Sequence, residues 1–135
     1  MSPWIYRDKE FTEIPEGVVG FVYLITNLTN GRKYIGKKNA YFCRLKKNKN
    51  KRNKRVTFVS DWKDYWSSSE EVKKDVADLG EDQFRREILY LCNNKSQLNY
   101  FELREQIDRR VLERNDYYNG QIYARVRKCK QIERT

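Results

Sequence analysis

Two tyrosines, Tyr23 and Tyr34, stand eleven residues apart, and an arginine, Arg44, follows ten residues after the second. Tyr23 lies in a stretch rich in β-branched and aromatic residues, 20–26, and Tyr34 in 32–36, which reads as the returning strand. The Asn30-Gly31 pair between them is a strong turn signal, because both residues tolerate positive φ. The pattern predicts a hairpin that holds the two phenols on adjacent strands. Much later, residues 97–113 read as a long helix capped by Ser96. At helical spacing it carries two apolar arcs, one with Leu98, Phe101 and Leu112, the other with Tyr100, Leu103, Ile107 and Val111. Glu102, Gln106 and Arg109 fall between the arcs, which predicts a carboxylate buried beside a site. Glu105 on the same helix is its rival. These residue types suit phosphodiester hydrolysis. That reaction needs an activated water, a clamp on developing charge and help for the leaving oxygen. An interior carboxylate can hold a hard Mg²⁺ that keeps most of its waters. An arginine fork matches phosphate better than lysine does.

The chain has no histidine. That excludes Ser-His-Asp and Cys-His catalysis, zinc hydrolysis through His ligands and any His general base. Three scattered cysteines, Cys43, Cys92 and Cys129, form neither a disulfide framework nor a zinc site. Their use points to a reducing cytoplasm. No apolar run approaches the roughly 18 residues of a membrane helix, and residues 1–13 lack the apolar core of a signal peptide. At 135 residues with 39% apolar and 14% aromatic content, one packed domain is expected.

Twenty-nine Lys and Arg against 19 Asp and Glu give a net charge of +10, and its distribution is uneven. Between Glu16 and Asp61 there is no acidic residue but there are twelve basic ones, eight of them within residues 44–55. Such a run repels itself and cannot be a core element. Clustered positive charge is the electrostatic footprint of nucleic-acid binding.

The elements that must position these groups are read as one α/β domain spanning 1–135, a small antiparallel sheet of about three strands flanked by helices. Residues 1–17 are a polar lead-in, with Trp4, Ile5, Tyr6 and Phe11 free to pack. A short helix is expected over 39–47, ending in the basic loop. Residues 56–59 are a short apolar stretch. Ser69 caps a helix that Gly80 closes. Residues 84–91 form the third strand. Asn115-Asp116 breaks the long helix, and a basic tail follows over 120–135.

Taken together, these residues resemble the GIY-YIG nuclease family across roughly residues 18–119. The first triplet is Phe21-Val22-Tyr23 and the second Tyr34-Ile35-Gly36. The family's helix arginine matches Arg44 by spacing, and its metal-binding glutamate matches Glu102. The resemblance implies a metal-dependent endonuclease of the restriction or phage type. It would cut double-stranded DNA by one-metal, in-line hydrolysis with Mg²⁺ or Mn²⁺ and leave a 5′ phosphate. It suggests Tyr23 as general base, Tyr34 as the group that orients phosphate or water, and Lys33 as an ammonium that lowers a tyrosine pKa. Lys37 and Lys38 are expected to touch phosphate, and Lys46, Lys47, Lys51 and Arg52 to track the DNA backbone, with dimerisation as a further means of recognition. The sequence departs from the family in three ways: Phe21 replaces the first glycine, with Gly20 one position early; Val22 replaces isoleucine; and no histidine follows the arginine. The competing readings are a non-catalytic nucleic-acid-binding module on the same fold and a basic RNA-binding protein of ribosomal type. The second would explain the basic run but not the hairpin constellation.

Overall fold

A computed structural model describes residues 2–46 and 54–128. The chain forms β1 (Trp4–Tyr6), β2 (Lys9–Phe11), β3 (Gly20–Asn27), β4 (Lys33–Asn39), β5 (Tyr41–Lys46) and β6 (Lys54–Val59), then α1 (Glu70–Leu79), β7 (Phe84–Cys92) and α2 (Lys95–Asp108). Five strands make one mixed sheet in the order β2-β1-β7-β3-β4, and β5 and β6 form a separate two-stranded ribbon. β1 runs parallel to β7, and the other pairs are antiparallel.

The expectation of about three strands is therefore too small. The lead-in supplies two more. They are only three residues long, and their turn uses Arg7 and Asp8 at φ 50° and 65° rather than an Asn-Gly pair. The short helix expected over 39–47 is also corrected, because residues 41–46 are strand β5. Its ladder partner β6 starts at the far end of the basic run, and Arg44 pairs with Val56. A period-based reading of 39–47 alone does not contain that partner.

β3 is buried along nearly its whole length because it is central and covered on both faces. Alternation along a strand sends successive side chains to opposite faces. Val22 and Leu24 join Ile35, Leu98, Phe101 and Val111 under α2. Phe21, Tyr23 and Ile25 join Trp4, Trp62, Val72, Val76, Phe84 and Ile88 on the α1 side. The two cores together hold β3 in place, and Tyr23 is at its centre.

The predicted hairpin turn is present. Gly31 takes φ 77°, and the Asn30 side chain accepts from the Arg32 amide at 2.9 Å. Ser69 caps α1 through the Val72 amide, and Gly80 closes it. The cap of α2 is Asn94, whose side chain accepts from the Gln97 amide at 2.8 Å, rather than Ser96. α2 also ends earlier than Asn115, because Arg110 turns to φ 53°. Val111 still reaches the core, whereas Ile107 and Leu112 are exposed.

Candidate active site

Tyr23 on β3 lies opposite Gly36 on β4, and Tyr34 lies two residues before Gly36 on the same face. The two rings stack, with centroids 6.2 Å apart and planes 30° apart. The ladder between β3 and β7 is irregular between Val22 and Tyr23, a feature that re-aims the side chain beside it. The glycine of the second triplet has a steric reason. A Cβ at Gly36 would lie 2.6 Å from Tyr23 Cζ and 2.9 Å from Tyr34 Cε1. Tyr23 fills the space above the bare backbone and is 1% exposed.

A third phenol completes the group. Tyr65 meets the Tyr23 ring edge-on at 5.9 Å, and the two hydroxyls share a hydrogen bond. Ser68 Oγ lies 3.2 Å from Tyr34 Oη and also hydrogen-bonds to Tyr65. The segment carrying Tyr65 and Ser68 is fixed from β7. The Arg86 guanidinium, 3% exposed, donates to the carbonyls of Lys63 at 3.0 Å, Tyr65 at 2.8 Å and Ser2. It stacks between Trp4 and Trp66, and burial pushes its pKa down to about 10. Ser67, buried at φ 83°, turns the chain, and its Oγ accepts from the Ser69 amide.

α2 brings in the carboxylate. Glu102 is half-buried and accepts a hydrogen bond from the Lys37 backbone N–H. Burial pushes its pKa up, offset in part by the Lys37 ammonium. Its charge acts on both Tyr23 and Tyr34. Glu105 is engaged elsewhere: Tyr90 Oη donates to it at 2.7 Å and Arg109 Nε at 3.1 Å. Of the two rival glutamates, Glu102 is the one whose carboxylate reaches strand β4, at the Lys37 N–H.

The outer edge of β4 would present bare polar backbone, and the site's far wall covers it. Asn119 Oδ1 accepts from the Ile35 N–H at 3.0 Å, and its Nδ2 donates back to the Ile35 carbonyl at 2.8 Å. Gln106 donates to the same carbonyl, while its buried Oε1 has no partner among the described residues. Lys33 exchanges backbone hydrogen bonds with Asp116 and Tyr118.

Burial raises both catalytic candidates' phenol pKa values, Tyr23's well above the ordinary value. Neighbouring phenols and Glu102 add to the Tyr23 shift. This corrects the expectation of a tyrosine pKa lowered by Lys33. Ile35 faces α2, so alternation puts Lys33 on that face too, away from the phenols, where its ammonium acts on Asp116. Lys37 is exposed and bonds to Asn99. Lys38, 8% exposed, is tied to Asp61 at 2.6 Å and lies 4.1 Å above the Tyr65 ring, so it braces the site rather than offering a free cation. Arg44 and Lys46 are placed in β5 by backbone only, and Lys47, Lys51 and Arg52 lie outside the described residues.

Sequence reasoning missed Tyr65, Ser68, Arg86 and Asn119. The aromatic cluster Trp62, Tyr65, Trp66 and the Tyr-Tyr-Asn-Gly run at 117–120 are the signals that could have drawn attention to two of them.

Comparison with known proteins gives one family. The family model described as "Putative endonuclease segE, GIY-YIG domain" matches residues 4–122. No curated protein and no solved structure matches the chain. No helix among the described residues is long and apolar enough to cross a membrane.

Proposed function

The chain belongs to the GIY-YIG nuclease family, and from that premise we propose that it is a metal-dependent endonuclease acting on double-stranded DNA. The observation that carries this reading is that Tyr23 and Tyr34 stack on one face of the β3–β4 hairpin while Glu102 of α2 accepts from the Lys37 N–H of the same strand β4.

Glu102 fits a hard divalent cation. Its half-buried carboxylate is short of positive compensation, and burial is what raises its pKa. Among the described residues there is no cluster of three or more carboxylate, cysteine or histidine ligands. A single carboxylate suits Mg²⁺ or Mn²⁺, which keeps waters and shares substrate phosphate oxygens rather than sitting in an all-protein cage. When bound, the ion would polarise the phosphate and stabilise developing charge.

The remaining work falls to the chain itself. Tyr23 Oη takes the proton of the attacking water, held in line by the Gly36 gap and the Trp4 and Tyr65 rings. Tyr34, half-exposed beside Ser68, orients the water or the scissile phosphate. Arg44 supplies a fork for a phosphate, and Lys46, Lys47, Lys51 and Arg52 follow the backbone. Lys37 Nζ, at the surface and bonded to Asn99, would turn to a neighbouring phosphate.

The test is incubation of purified protein with supercoiled plasmid and Mg²⁺, with and without chelator, followed by mapping of the ends. Nicked or linear product bearing a 5′ phosphate, lost on chelation, is expected. DNA bound tightly but left intact under metal saturation would instead identify a non-catalytic binding module.

A further inference from the structure

We propose that Tyr65 is the proton outlet of the site, receiving the proton of Tyr23 as Tyr23 receives that of the attacking water. This rests on the cleavage reading above and names a positioning residue which that reading does not contain.

Tyr23 is nearly devoid of solvent exposure, so a proton delivered to it has no direct way out. Its ring meets that of Tyr65 edge-on, and the two hydroxyls share a hydrogen bond along which a proton can pass. Tyr65 is half-exposed, and Ser68 beside it is exposed. The chain of hydroxyls therefore runs from the buried phenol to solvent.

The structure also fixes Tyr65 more firmly than a surface tyrosine needs. Arg86 on β7 holds its carbonyl, Lys38 on β4 covers its ring, and Asp61 holds Lys38. Tyr23 on β3 and Tyr34 on β4 are the ionisable phenols that act on it, and Asp61 is the acid that does so. Burial, foremost, and the charges of Tyr34 and Asp61 raise the Tyr65 pKa, hydrogen bonds to Tyr23 and Ser68 offset that in part, and its ionised form is therefore reached on the alkaline side.

Every proton in the transfer has a place to go. As the water oxygen bonds to phosphorus, the bond from phosphorus to the 3′ oxygen breaks and the leaving oxygen takes a proton from solvent; the water O–H bond breaks, and its proton joins Tyr23 Oη. The original Tyr23 proton moves to the ionised Tyr65 Oη, and Tyr65 then returns it to solvent past Ser68. Tyr23 ends as it began, and no buried tyrosinate accumulates. The alkaline limb of the rate then belongs to Tyr65.

The experiment is single-turnover cleavage across pH under saturating Mg²⁺, with DNA affinity measured in parallel without metal. Tyr65→Phe keeps the ring under Lys38 and should lower the rate about 10²-fold, leaving affinity unchanged. Ser68→Ala, at an exposed position, should lower it less. Replacing Tyr65 by 3-fluorotyrosine, a more acidic phenol of nearly the same shape, should move the alkaline limb to lower pH. A purely structural role would not produce that displacement. If the wild type cleaves and the Tyr65→Phe rate matches it, the outlet is wrong while the nuclease reading stands. An unmoved limb in the fluorotyrosine protein overturns the outlet even where Tyr65→Phe folds poorly. A wild type that binds DNA without cutting it overturns both.

Discussion

Glu102 and Glu105 are one turn apart on α2, yet their surroundings give them opposite expected behaviour. Glu105 is held by Tyr90 and Arg109. Glu105→Gln should cost about 1 kcal/mol of stability by weakening those charge-assisted bonds, with cleavage retained. Glu102 carries a charge that the fold penalises. Its folded pKa is raised, so the penalty is absent below the unfolded value of 4.5 and builds as pH rises through the folded value. Glu102→Gln should therefore abolish cleavage, leave DNA binding intact and raise the melting temperature at neutral pH. Thermal melts at pH 4 and pH 7 with a plasmid assay check this, and the stabilisation should vanish at the lower pH. The sequence separated the two glutamates only by helical angle. Their partners Tyr90 and Lys37 come from β7 and β4 and are outside any reading of the helix alone. Tyr65 was illegible for a related reason: its place depends on Arg86 from a distant strand and on Ser67 in a conformation that serine rarely adopts.

At the scale of elements, the β3–β4 hairpin was legible because its signals are local: a turn pair, two β-rich runs and tyrosines at a fixed spacing. The caps of α1 were legible for the same reason. β1 and β2 were not, since strands of three residues show no period and their turn has no glycine. β5 was misread because Ala40, Tyr41, Phe42 and Leu45 fit a helical face as well as a strand when the partner is unseen. The edge of β4 gives a prediction of its own. Asn119 imitates a strand neighbour by pairing both polar groups of Ile35. Asn119→Ala would leave the buried Ile35 N–H without a partner and its carbonyl to Gln106 alone, which costs about 1–3 kcal/mol. Urea unfolding should show that loss, and amide exchange at Ile35 should accelerate. Cleavage should fall as well, because the same strand carries Tyr34 and Gly36.

For the whole molecule, the positive charge is concentrated where the β5–β6 ribbon leads into residues 47–53. A two-stranded ribbon is one of the shapes that the major groove admits. Neutralising Lys46, Lys47, Lys51 and Arg52 together should weaken binding to all sequences alike. The slope of log K against log salt should flatten by roughly 0.9 for each phosphate that is no longer neutralised, and an unchanged slope would mark the run as solvated surface. The buried phenols impose a second global behaviour. Tyr23, Tyr34, Tyr65, Tyr90 and Tyr118 all have raised pKa values, chiefly through burial. Their contribution to stability is complete below the unfolded value of about 10 and is lost as pH rises beyond it. Stability should fall steeply above that pH, and Tyr23→Phe should make the fall shallower in alkaline melts.

The parallel pairing of β1 with β7 joins the beginning of the chain to a strand made long after it. In vectorial synthesis the hairpin bearing Tyr23 and Tyr34 emerges early and can close by itself. Trp4, which braces Tyr23, has no sheet to join until β7 is available, and the same strand delivers the guanidinium that fixes Tyr65. Glu102 follows later still. A nascent chain therefore displays its phenols without the carboxylate or the clamp. On the proposed reading, competence to cleave is acquired late and cooperatively, with the slow closure expected of long-range strand pairing, so a half-made chain has the phenols but not the activity.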